Sequence, residues 1–427
     1  MNRLIVYTKP VWAALLLLLA ALPARSQSQE VYRNQVFVPE IRTVQFSNGN
    51  GEQTLPVLEL GGEGKLILSF DDLRGGFRNY HYTVEHCTAE WKPSTIPQIQ
   101  YLRGFPGERI RDYQGSFNTY QEYTNYRLEI PDFSIEPLLS GNYILKIYED
   151  NDPGNLVLTR RFYVLDRKVS LEADIGRSSR VAERQQRQKL NFSIFHPNLQ
   201  ISNPFGEIKV YVSQNGREDN AQWLTQPVHV RASQLVYDAV DVTDFLGGNE
   251  FRRFDLRSLR FRGEGVRELV HDDLFVATLE TDAPRLSQAY SSLIDYNGKY
   301  FIRFQEGNAP EVEADYARVN FHFQAPRATG DYYVFGELTD WELKKEFRLI
   351  YDPVTQTYGA SPLLKQGVYD YMYVQADPSG QISNRQTESN HYETENDYYL
   401  FVYYRRSGSR YDELIGFTML NTAGIRP

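Results

Sequence analysis

Short segments in which apolar and polar residues alternate recur along the whole chain. Residues 65–70, 143–148 and 318–323 are typical, because each has an apolar side chain at every second position. A period of two buries one face of a β-strand and leaves the other face in water. Gly, Pro, Asn and Asp cluster between these segments, as they do in the turns that join antiparallel strands. The pattern predicts β-sandwiches.

Helical periodicity is almost absent. Residues 181–189 contain strong helix formers and no turn signal, but they are so polar that a loop or an exposed strand fits at least as well. We therefore predict an all-β protein with little helix.

Three sandwich units in series are predicted, because about 400 residues exceed what one hydrophobic core organises. The first unit, 27–166, closes on a hairpin-like pair of strands and is followed by a short basic linker. The second unit is 167–324, although residues 169–174 could instead add an edge strand to the first. The third unit is 325–427, since Pro and Gly punctuate its beginning.

Residues 1–26 are predicted to be a cleavable secretory signal peptide. Two basic residues precede an unbroken apolar stretch from residue 11 to residue 22, and a small-residue cleavage site ends at Ser26. This stretch is shorter than the roughly 20 residues of a spanning helix, so a retained anchor is the weaker interpretation. The single cysteine, Cys87, lies far from the cleavage site, which argues against an N-terminal lipid anchor and an internal disulfide.

The mature chain is acidic. Cleavage after Ser26 removes three basic residues and no acid, which changes the formal net charge from −9 to −12. The remaining basic residues are interspersed with acids in the sequence and form no block. This arrangement argues against nucleic acid and against an anionic membrane as partners.

No catalytic, cofactor-binding or metal site is predicted. Four potential metal ligands lie close in sequence: His81, Glu85, His86 and Cys87. Only three of them would share one face of a strand, and the chain has no C-x-x-C or H-E-x-x-H spacing. Residues 150–155 resemble part of a calcium loop but fit a β-turn better, and residues 61–65 form a turn rather than a phosphate loop. Since there is also no Gly-x-Ser-x-Gly elbow, we expect no enzyme.

The third unit contains a motif similar to the early-set immunoglobulin-like modules that include glycogen-binding domains. Residues 331–341 form a strand pattern that ends in Phe335-Gly336, and a turn leads from there to Trp341. An exposed tryptophan could stack on a sugar ring, whereas a buried one would cap the sandwich core. A periplasmic carbohydrate-binding or glycan-processing protein is therefore the alternative hypothesis for function.

Several longer phrases resemble the type IX secretion system plug protein family of the Bacteroidota. They are LPVLEL at 55–60, LSFDDL at 68–73, YHYTVEHCTAEW at 80–91, YLRGF at 101–105, SGNYILKIYED at 140–150, LTRRF at 158–162 and GGNEFRRFDLRSLR at 247–260. They stand in the family's order and span nearly the whole mature chain, which makes the resemblance more specific than a short motif.

From the strand pattern we expect three immunoglobulin-like or early-set β-sandwich domains in series. The resemblance implies a soluble periplasmic protein that is associated with the outer membrane through the translocon. It implies a non-enzymatic component that binds the large outer-membrane β-barrel translocon and blocks its periplasmic opening when idle. The family has no established catalytic residues to carry over. We expect no nucleic acid, no small-molecule substrate and no direct membrane insertion.

One irregular, aromatic-rich stretch is the candidate binding surface. It contains Tyr113, Phe117, Tyr120, Tyr123 and Tyr126. Aromatic residues in turns are the best anchors for a protein interface, although half or more of these side chains could instead belong to a core. Trp341 is a further candidate, through the sugar hypothesis.

Overall fold

Strands account for most of the regular structure. The computed structural model describes residues 31–49, 54–105, 107–239 and 242–425, so the predicted signal peptide lies outside the described residues. The helices within these ranges are single turns: α1 (Gln98–Tyr101), α2 (Pro204–Glu207) and α3 (Pro310–Glu313). The polar stretch from residue 181 begins with a 3-10 turn and continues into a strand. The all-β prediction is confirmed.

The first unit is a sandwich of two mainly antiparallel sheets. Its strands are β1 (Gln35–Val36), β2 (Ile41–Ser47), β3 (Val57–Glu59), β4 (Leu66–Asp72), β5 (Tyr80–Cys87), β6 (Leu102–Gly104), β7 (Glu108–Arg109), β8 (Asp112–Gly115), β9 (Thr124–Ile130), β10 (Ile135–Pro137), β11 (Gly141–Glu149) and β12 (Leu156–Leu165). One sheet has the order β1-β12-β11-β5-β7, with β3 added parallel to β12, and the other has the order β2-β4-β9-β8. Alternate residues of both sheets, such as Phe70 and Phe162, fill the core between them. Strands β6 and β10 form a separate two-stranded ribbon.

The second unit is built from two distant parts of the chain. Its strands are β13 (Ser170–Arg177), β14 (Arg187–Phe195), β15 (Ile208–Gln214), β16 (Gln222–Leu224), β17 (His229–Arg231), β18 (Gln234–Tyr237), β19 (Asp244–Leu246), β31 (Asp397–Tyr404) and β32 (Glu413–Asn421). One sheet has the order β13-β14-β18-β17 with β19 beside β14, and the other has the order β16-β15-β31-β32. Val210 of β15 and Val402 of β31 lie opposite each other and share one core with Leu190.

The third unit is inserted between these two parts. Its strands are β20 (Arg252–Asp255), β21 (Val266–His271), β22 (Phe275–Asp282), β23 (Tyr300–Ile302), β24 (Tyr316–Phe323), β25 (Asp331–Phe335), β26 (Ile350–Asp352), β27 (Thr357–Ala360), β28 (Leu363–Lys365), β29 (Gly367–Ala376) and β30 (Ile382–Ser383). One sheet centres on β29, which pairs with β20, β23, β25 and β30. The other has the order β21-β22-β24-β27-β26, with β28 beside β24.

The predicted boundary between residues 324 and 325 is wrong. Strand β24 ends at Phe323, yet its partners β27 and β28 lie beyond that boundary. Strands β31 and β32 were assigned to the C-terminal unit but complete a sheet of the second. The physical reason is that alternation identifies a strand from local residues, whereas a sandwich is defined by pairings that the local pattern does not encode.

The three units pack against one another through apolar and charged contacts. A cluster of buried side chains joins the first and second units: Ala89, Leu165, Tyr399, Phe401, Tyr403 and Leu414. Between the second and third units, Lys299 Nζ lies 2.9 Å from Asp397 Oδ2, and the Arg217 guanidinium lies 5.4 Å from the centre of the Phe335 ring. The units are therefore in contact through buried residues and are not connected by flexible linkers alone.

Residues 326–427 expressed alone are expected not to fold. The fragment carries β31 without its partner β15, and β27 without its partner β24. Circular dichroism and denaturant titration of the isolated fragment check this expectation. The matched fragment 31–166 carries every strand of the first sandwich and is expected to unfold cooperatively. Cooperative unfolding of residues 326–427 would contradict the inserted arrangement.

Candidate functional site

The predicted aromatic stretch follows β8, the loop after it and β9. Phe117 and Tyr120 lie in the loop and are 68% and 60% exposed. Tyr113 of β8 is half-buried. Tyr123 and Tyr126 are 2% and 0% exposed, so the structure removes them from the candidate surface. The stretch is divided between surface and core.

Tyr126 belongs to the core of the first unit. Its ring stacks on Phe70 with a centroid distance of 5.2 Å and meets Tyr80 edge-on at 4.7 Å. Its hydroxyl accepts a hydrogen bond of 2.5 Å from the backbone N–H of Arg78. In β9, Tyr126 shares the buried face with Leu128 and Ile130, so the alternation alone assigns it to the core.

Tyr123 lies in the joint between the first and third units. Its hydroxyl donates a hydrogen bond of 2.8 Å to the carbonyl of Ala314, and its ring meets Tyr316 edge-on at 5.5 Å. Lys365 Nζ lies 4.1 Å from the centre of the same ring. These partners are far away in sequence, and no local pattern signals them.

Exposed and half-buried aromatic side chains of the first and third units lie close to one another at this joint. Phe77 is 66% exposed and stacks on Tyr113 at 5.6 Å. The centre of the Tyr120 ring lies 4.3 Å from that of His271 and 5.4 Å from that of Phe275, both in the third unit. We call this surface the aromatic ridge and define it as Phe77, Tyr113, Phe117, Tyr120, His271 and Phe275. Sequence analysis missed three of these residues because two of them belong to another sandwich and Phe77 lies in a separate turn.

Hydrogen bonds fix the loop of the aromatic ridge to the third unit. The backbone N–H of Phe117 donates to the carbonyl of Val312 at 2.8 Å. The carboxylate of Asp315 accepts from the backbone N–H groups of Tyr120 at 2.7 Å and Gln121 at 3.1 Å. Because the loop is held by the folded protein itself, a partner that binds it has less conformational entropy to remove.

Replacing Asp315 with alanine is expected to loosen this loop. The backbone N–H groups of Tyr120, Gln121 and Tyr316 would lose a charged acceptor, which should lower the free energy of unfolding by about 1–3 kcal/mol. Proteolytic cleavage within residues 116–122 should become faster. The control is Asp112→Ala, since the Asp112 side chain is 69% exposed and its Oδ2 lies as far as 3.8 Å from Arg127 Nη1. Unchanged cleavage in Asp315→Ala would show that this carboxylate does not hold the loop.

A buried ion pair joins the same two units. Lys365 Nζ lies 2.7 Å from Asp71 Oδ2, and each side chain is only 1% exposed. The Tyr316 hydroxyl and the Asn125 side-chain amide donate to Asp71, each at 2.8 Å. Lys365 donates a second hydrogen bond of 2.8 Å to the carbonyl of Glu311. Burial lowers the pKa of Lys365, against the opposing effect of Asp71. The pair has its hydrogen-bond partners, which is what allows two charges to persist out of water.

Trp341 is a packing residue rather than an exposed platform. Its ring meets Phe335 and Phe251 edge-on, at 5.5 and 5.9 Å, and the Arg217 guanidinium lies 5.6 Å from its centre. A Cβ atom on Gly298 would lie only 2.4 Å from the ring, so glycine is needed there for this close approach. The packing favours the core-capping interpretation over the stacking of a sugar.

The potential metal ligands on β5 have other partners. His86 is buried edge-on against Tyr143 at 4.9 Å, and burial lowers the pKa of His86 to about 4. Cys87 is also buried, and burial raises the pKa of its thiol to about 12. Glu85 accepts a hydrogen bond of 2.9 Å from the Tyr32 hydroxyl. Within the described ranges, no three His, Cys, Asp or Glu side chains are placed to hold a metal ion.

Comparison with known proteins gives two matches. The family model described as type 9 secretion system plug protein 1st domain matches residues 41–166. A solved crystal structure of a hypothetical protein from Parabacteroides merdae is similar over 91% of this chain and 99% of that chain, with 33% identity and a TM-score of 0.87. No curated protein matches the chain.

The two matches complement each other. The family model begins at the first residue of β2 and ends one residue after β12, so it covers almost the whole first sandwich. The crystal structure extends the likeness over all three units at an identity that shows common descent. On these grounds, the chain belongs to the type IX secretion system plug protein family.

Proposed function

We propose that this protein binds the outer-membrane β-barrel translocon of the type IX secretion system and blocks its periplasmic opening when the translocon is idle. The protein acts without catalysis. The observation that carries the proposal, beside family membership, is the aromatic ridge, which two units hold in a fixed position. A component of a secretion system that presents a preformed aromatic surface is suited to dock on another component.

Blocking a protein-conducting pore requires bulk and rigidity. A pore that passes folded cargo is too wide for one side chain to close, so the closing body must be large and must not collapse. The buried pair of Asp71 and Lys365 and the apolar cluster around Tyr399 and Phe401 support such a body. The predicted signal peptide supports a periplasmic location. No helix within the described ranges is long and apolar enough to cross a membrane.

The aromatic ridge is the surface that we assign to translocon binding. Aromatic side chains supply large contact areas at a small cost in conformational entropy, and they are enriched among interface residues that dominate affinity. Phe117 and Tyr120 lie in the loop of the ridge and are 68% and 60% exposed. Since the protein must leave when cargo arrives, we expect an interface of moderate affinity.

Crosslinking in the native cell tests the proposed partner. A photoreactive amino acid at position 117 or 120 should capture a very large outer-membrane barrel protein. The same amino acid at position 354 is the control, because Val354 is 89% exposed and follows β26, at the edge of the sheet opposite to β21. Recovery of soluble periplasmic proteins alone, or equal capture of the barrel from position 354, would contradict the assignment of the ridge.

Loss of the ridge should make the outer membrane leaky. The double variant Phe117→Ser/Tyr120→Ser is expected to sensitise cells to a large hydrophilic antibiotic that the intact outer membrane excludes. Phe117→Tyr/Tyr120→Phe keeps both rings and should retain the barrier. Equal resistance of the serine variant and the native protein, at equal protein levels, would argue against blocking through this surface.

A further inference from the structure

A polar cleft lies between the second and third units. Its volume is about 610 Å³, and its walls come from β15, β16 and β19 of the second unit and from β29 and β30 of the third. Nine of the residues that line it are Asn or Gln. A second cavity, of about 740 Å³, shares Arg187, Leu246 and Arg385 with the cleft. The two cavities adjoin, and we call them together the amide groove.

The buried amides of the groove are used within the protein. Gln214 Nε2 donates hydrogen bonds to the carbonyl of Leu246 and to the hydroxyl of Tyr398, both at 3.0 Å. Asn215 Nδ2 donates to Asn396 Oδ1 at 2.8 Å. These bonds tie three segments of the second unit together. The wall that this unit supplies is therefore formed before any ligand arrives.

Other polar side chains of the groove have no such partner. Gln375 and Asn384 are half-buried and Arg385 is exposed, and none of the three side chains forms a hydrogen bond or an ion pair with another residue in the described ranges. Gln222 uses its oxygen to accept from the backbone N–H of Thr243 at 3.0 Å, and its Nε2 stays unpaired within the same ranges. An amide that lines a cleft and lacks an internal partner can donate to and accept from a molecule in the cleft.

The charges of the cleft cancel. Three arginines and three aspartates line it. Arg217 forms an ion pair with Asp219 at 2.6 Å. The carboxylate of Asp244 accepts from the Ser178 hydroxyl at 2.7 Å, and that of Asp377 accepts from two backbone N–H groups of its own turn. The cleft therefore favours neither a strongly anionic nor a strongly cationic ligand.

The adjoining cavity adds two acids, and both are already paired. Arg187 Nε lies 2.5 Å from Glu183 Oε2. Glu388 is 1% exposed and lies 3.2 Å from Arg252 and 2.7 Å from Arg285. The amide groove thus offers many hydrogen-bonding groups without a net charge. Its chemistry fits an uncharged ligand that is rich in donors and acceptors.

We propose that the amide groove binds an uncharged oligosaccharide. A sugar hydroxyl both donates and accepts a hydrogen bond, and a side-chain amide does the same, so each satisfies the other in either direction. Binding sites of this kind use a few converging polar groups to fix the orientation of the ligand. A chain of several sugars is long enough to meet both cavities.

An extended peptide is the less suitable occupant. Peptides bind in apolar pockets or by adding a strand to a sheet edge. Gln375 belongs to β29, whose backbone there is already paired with β25 and β30. The aromatic residues that line the cleft, Phe245 and Phe251, are only 3% and 4% exposed. The accessible lining is therefore mainly side-chain amides, which suit hydroxyl groups.

The amide groove is separate from the tryptophan that the sugar hypothesis singled out. Trp341 lines neither of the two cavities. The groove also shares no residue with the aromatic ridge. Oligosaccharide binding and docking on the translocon are therefore independent properties of the protein, and each can fail without the other.

Calorimetric titration of residues 27–427 with maltotetraose and with chitotetraose tests the groove. At least one tetrasaccharide should bind with a Kd below about 5 mM. Gln375→Met/Asn384→Leu keeps the size of both side chains and removes their hydrogen bonds, so it should weaken binding by about tenfold or more. Arg385→Met should weaken it by about fivefold. The control Gln100→Met/Gln114→Met replaces two exposed glutamines of the first unit and should bind as the native protein does.

Equal thermal unfolding midpoints of the variants and the native protein establish that the fold is retained. Three results would overturn the proposal: no binding of either tetrasaccharide, binding that survives in Gln375→Met/Asn384→Leu, and an equal loss in the control variant. Acetylated and amidated tetraglycine is the uncharged peptide probe, and its binding in place of the sugars would also overturn it. A higher affinity for chitotetraose than for maltotetraose would support recognition of acetamido groups by the amides.

Discussion

Lys365→Met is expected to lower the free energy of unfolding by about 3–5 kcal/mol, because it leaves Asp71 charged and buried without its cation. Both side chains of the native pair are 1% exposed, so water cannot replace the lost partner without opening the joint between the first and third units. Denaturant titration of the full chain measures the change. A loss below about 1 kcal/mol would mean that the pair is not buried as described.

A double variant distinguishes the cost of leaving one charge unpaired from the contribution of the ion pair itself. Asp71→Asn/Lys365→Met removes both charges and keeps an oxygen that can accept from Tyr316 or Asn125, so it should recover most of the lost stability. Lys65→Met is the surface control, because the Lys65 side chain is 54% exposed in its ion pair with Glu129. It should cost less than about 1 kcal/mol.

Asp370→Asn is expected to become more stable relative to the native protein as the pH rises. The difference between their free energies of unfolding should grow by about 2 kcal/mol from pH 5 to pH 8. Burial and then the neighbouring Asp295 raise the pKa of Asp370 to about 7, against the opposing effect of Arg253. In the unfolded chain an aspartate loses its proton near pH 4. The stability that the retained proton contributes is therefore complete at low pH and is lost as the pH rises through about 7. Asparagine does not titrate, so the variant escapes this loss.

The measurement is the difference between the stability curves of variant and native protein over this pH range. The native curve alone is not enough, because His86 acts in the opposite sense. Burial lowers the pKa of His86 to about 4, so its contribution is lost as the pH falls and the unfolded chain takes up a proton. The free energy of unfolding of His86→Gln should therefore rise relative to that of the native protein as the pH falls toward 5. Parallel curves for Asp370→Asn and the native protein would show that Asp370 is ionised at both ends of the range.

The sequence was sufficient for the strands and insufficient for their partners. Alternation identifies β4, β11 and β24. Tyr126 was predicted as part of the binding surface, although its place in the alternation of β9 fits the core in which it lies. The predicted boundaries place Gly247 and Gly248 inside the second unit. In the fold, the chain leaves the second sandwich after β19, next to the segment that leads back into β31. A Cβ atom on Gly247 would lie 1.9 Å from the carbonyl oxygen of His391 in that segment. A glycine that is needed because a segment more than a hundred residues away packs against it cannot be told from a turn glycine by its local sequence.

The candidate surface was predicted in part for a similar reason. Phe117 and Tyr120 were found because they stand in an irregular segment with no apolar period. His271 ends a strand in which most side chains are exposed, and nothing in that strand indicates that an aromatic loop from another unit packs there.

The inserted position of the third unit bears on the order in which the chain can fold. Ile208 in β15 pairs with Tyr404 in β31, so one sheet of the second sandwich cannot close until β31 and β32 have been synthesised. The first sandwich and the inserted one contain all their own strands and can form earlier. Until β31 arrives, the edge of β15 and the core around Val210 remain open, which is a state prone to pairing with other chains. Closure of the second sandwich is thus a late, long-range step, and such steps are slow.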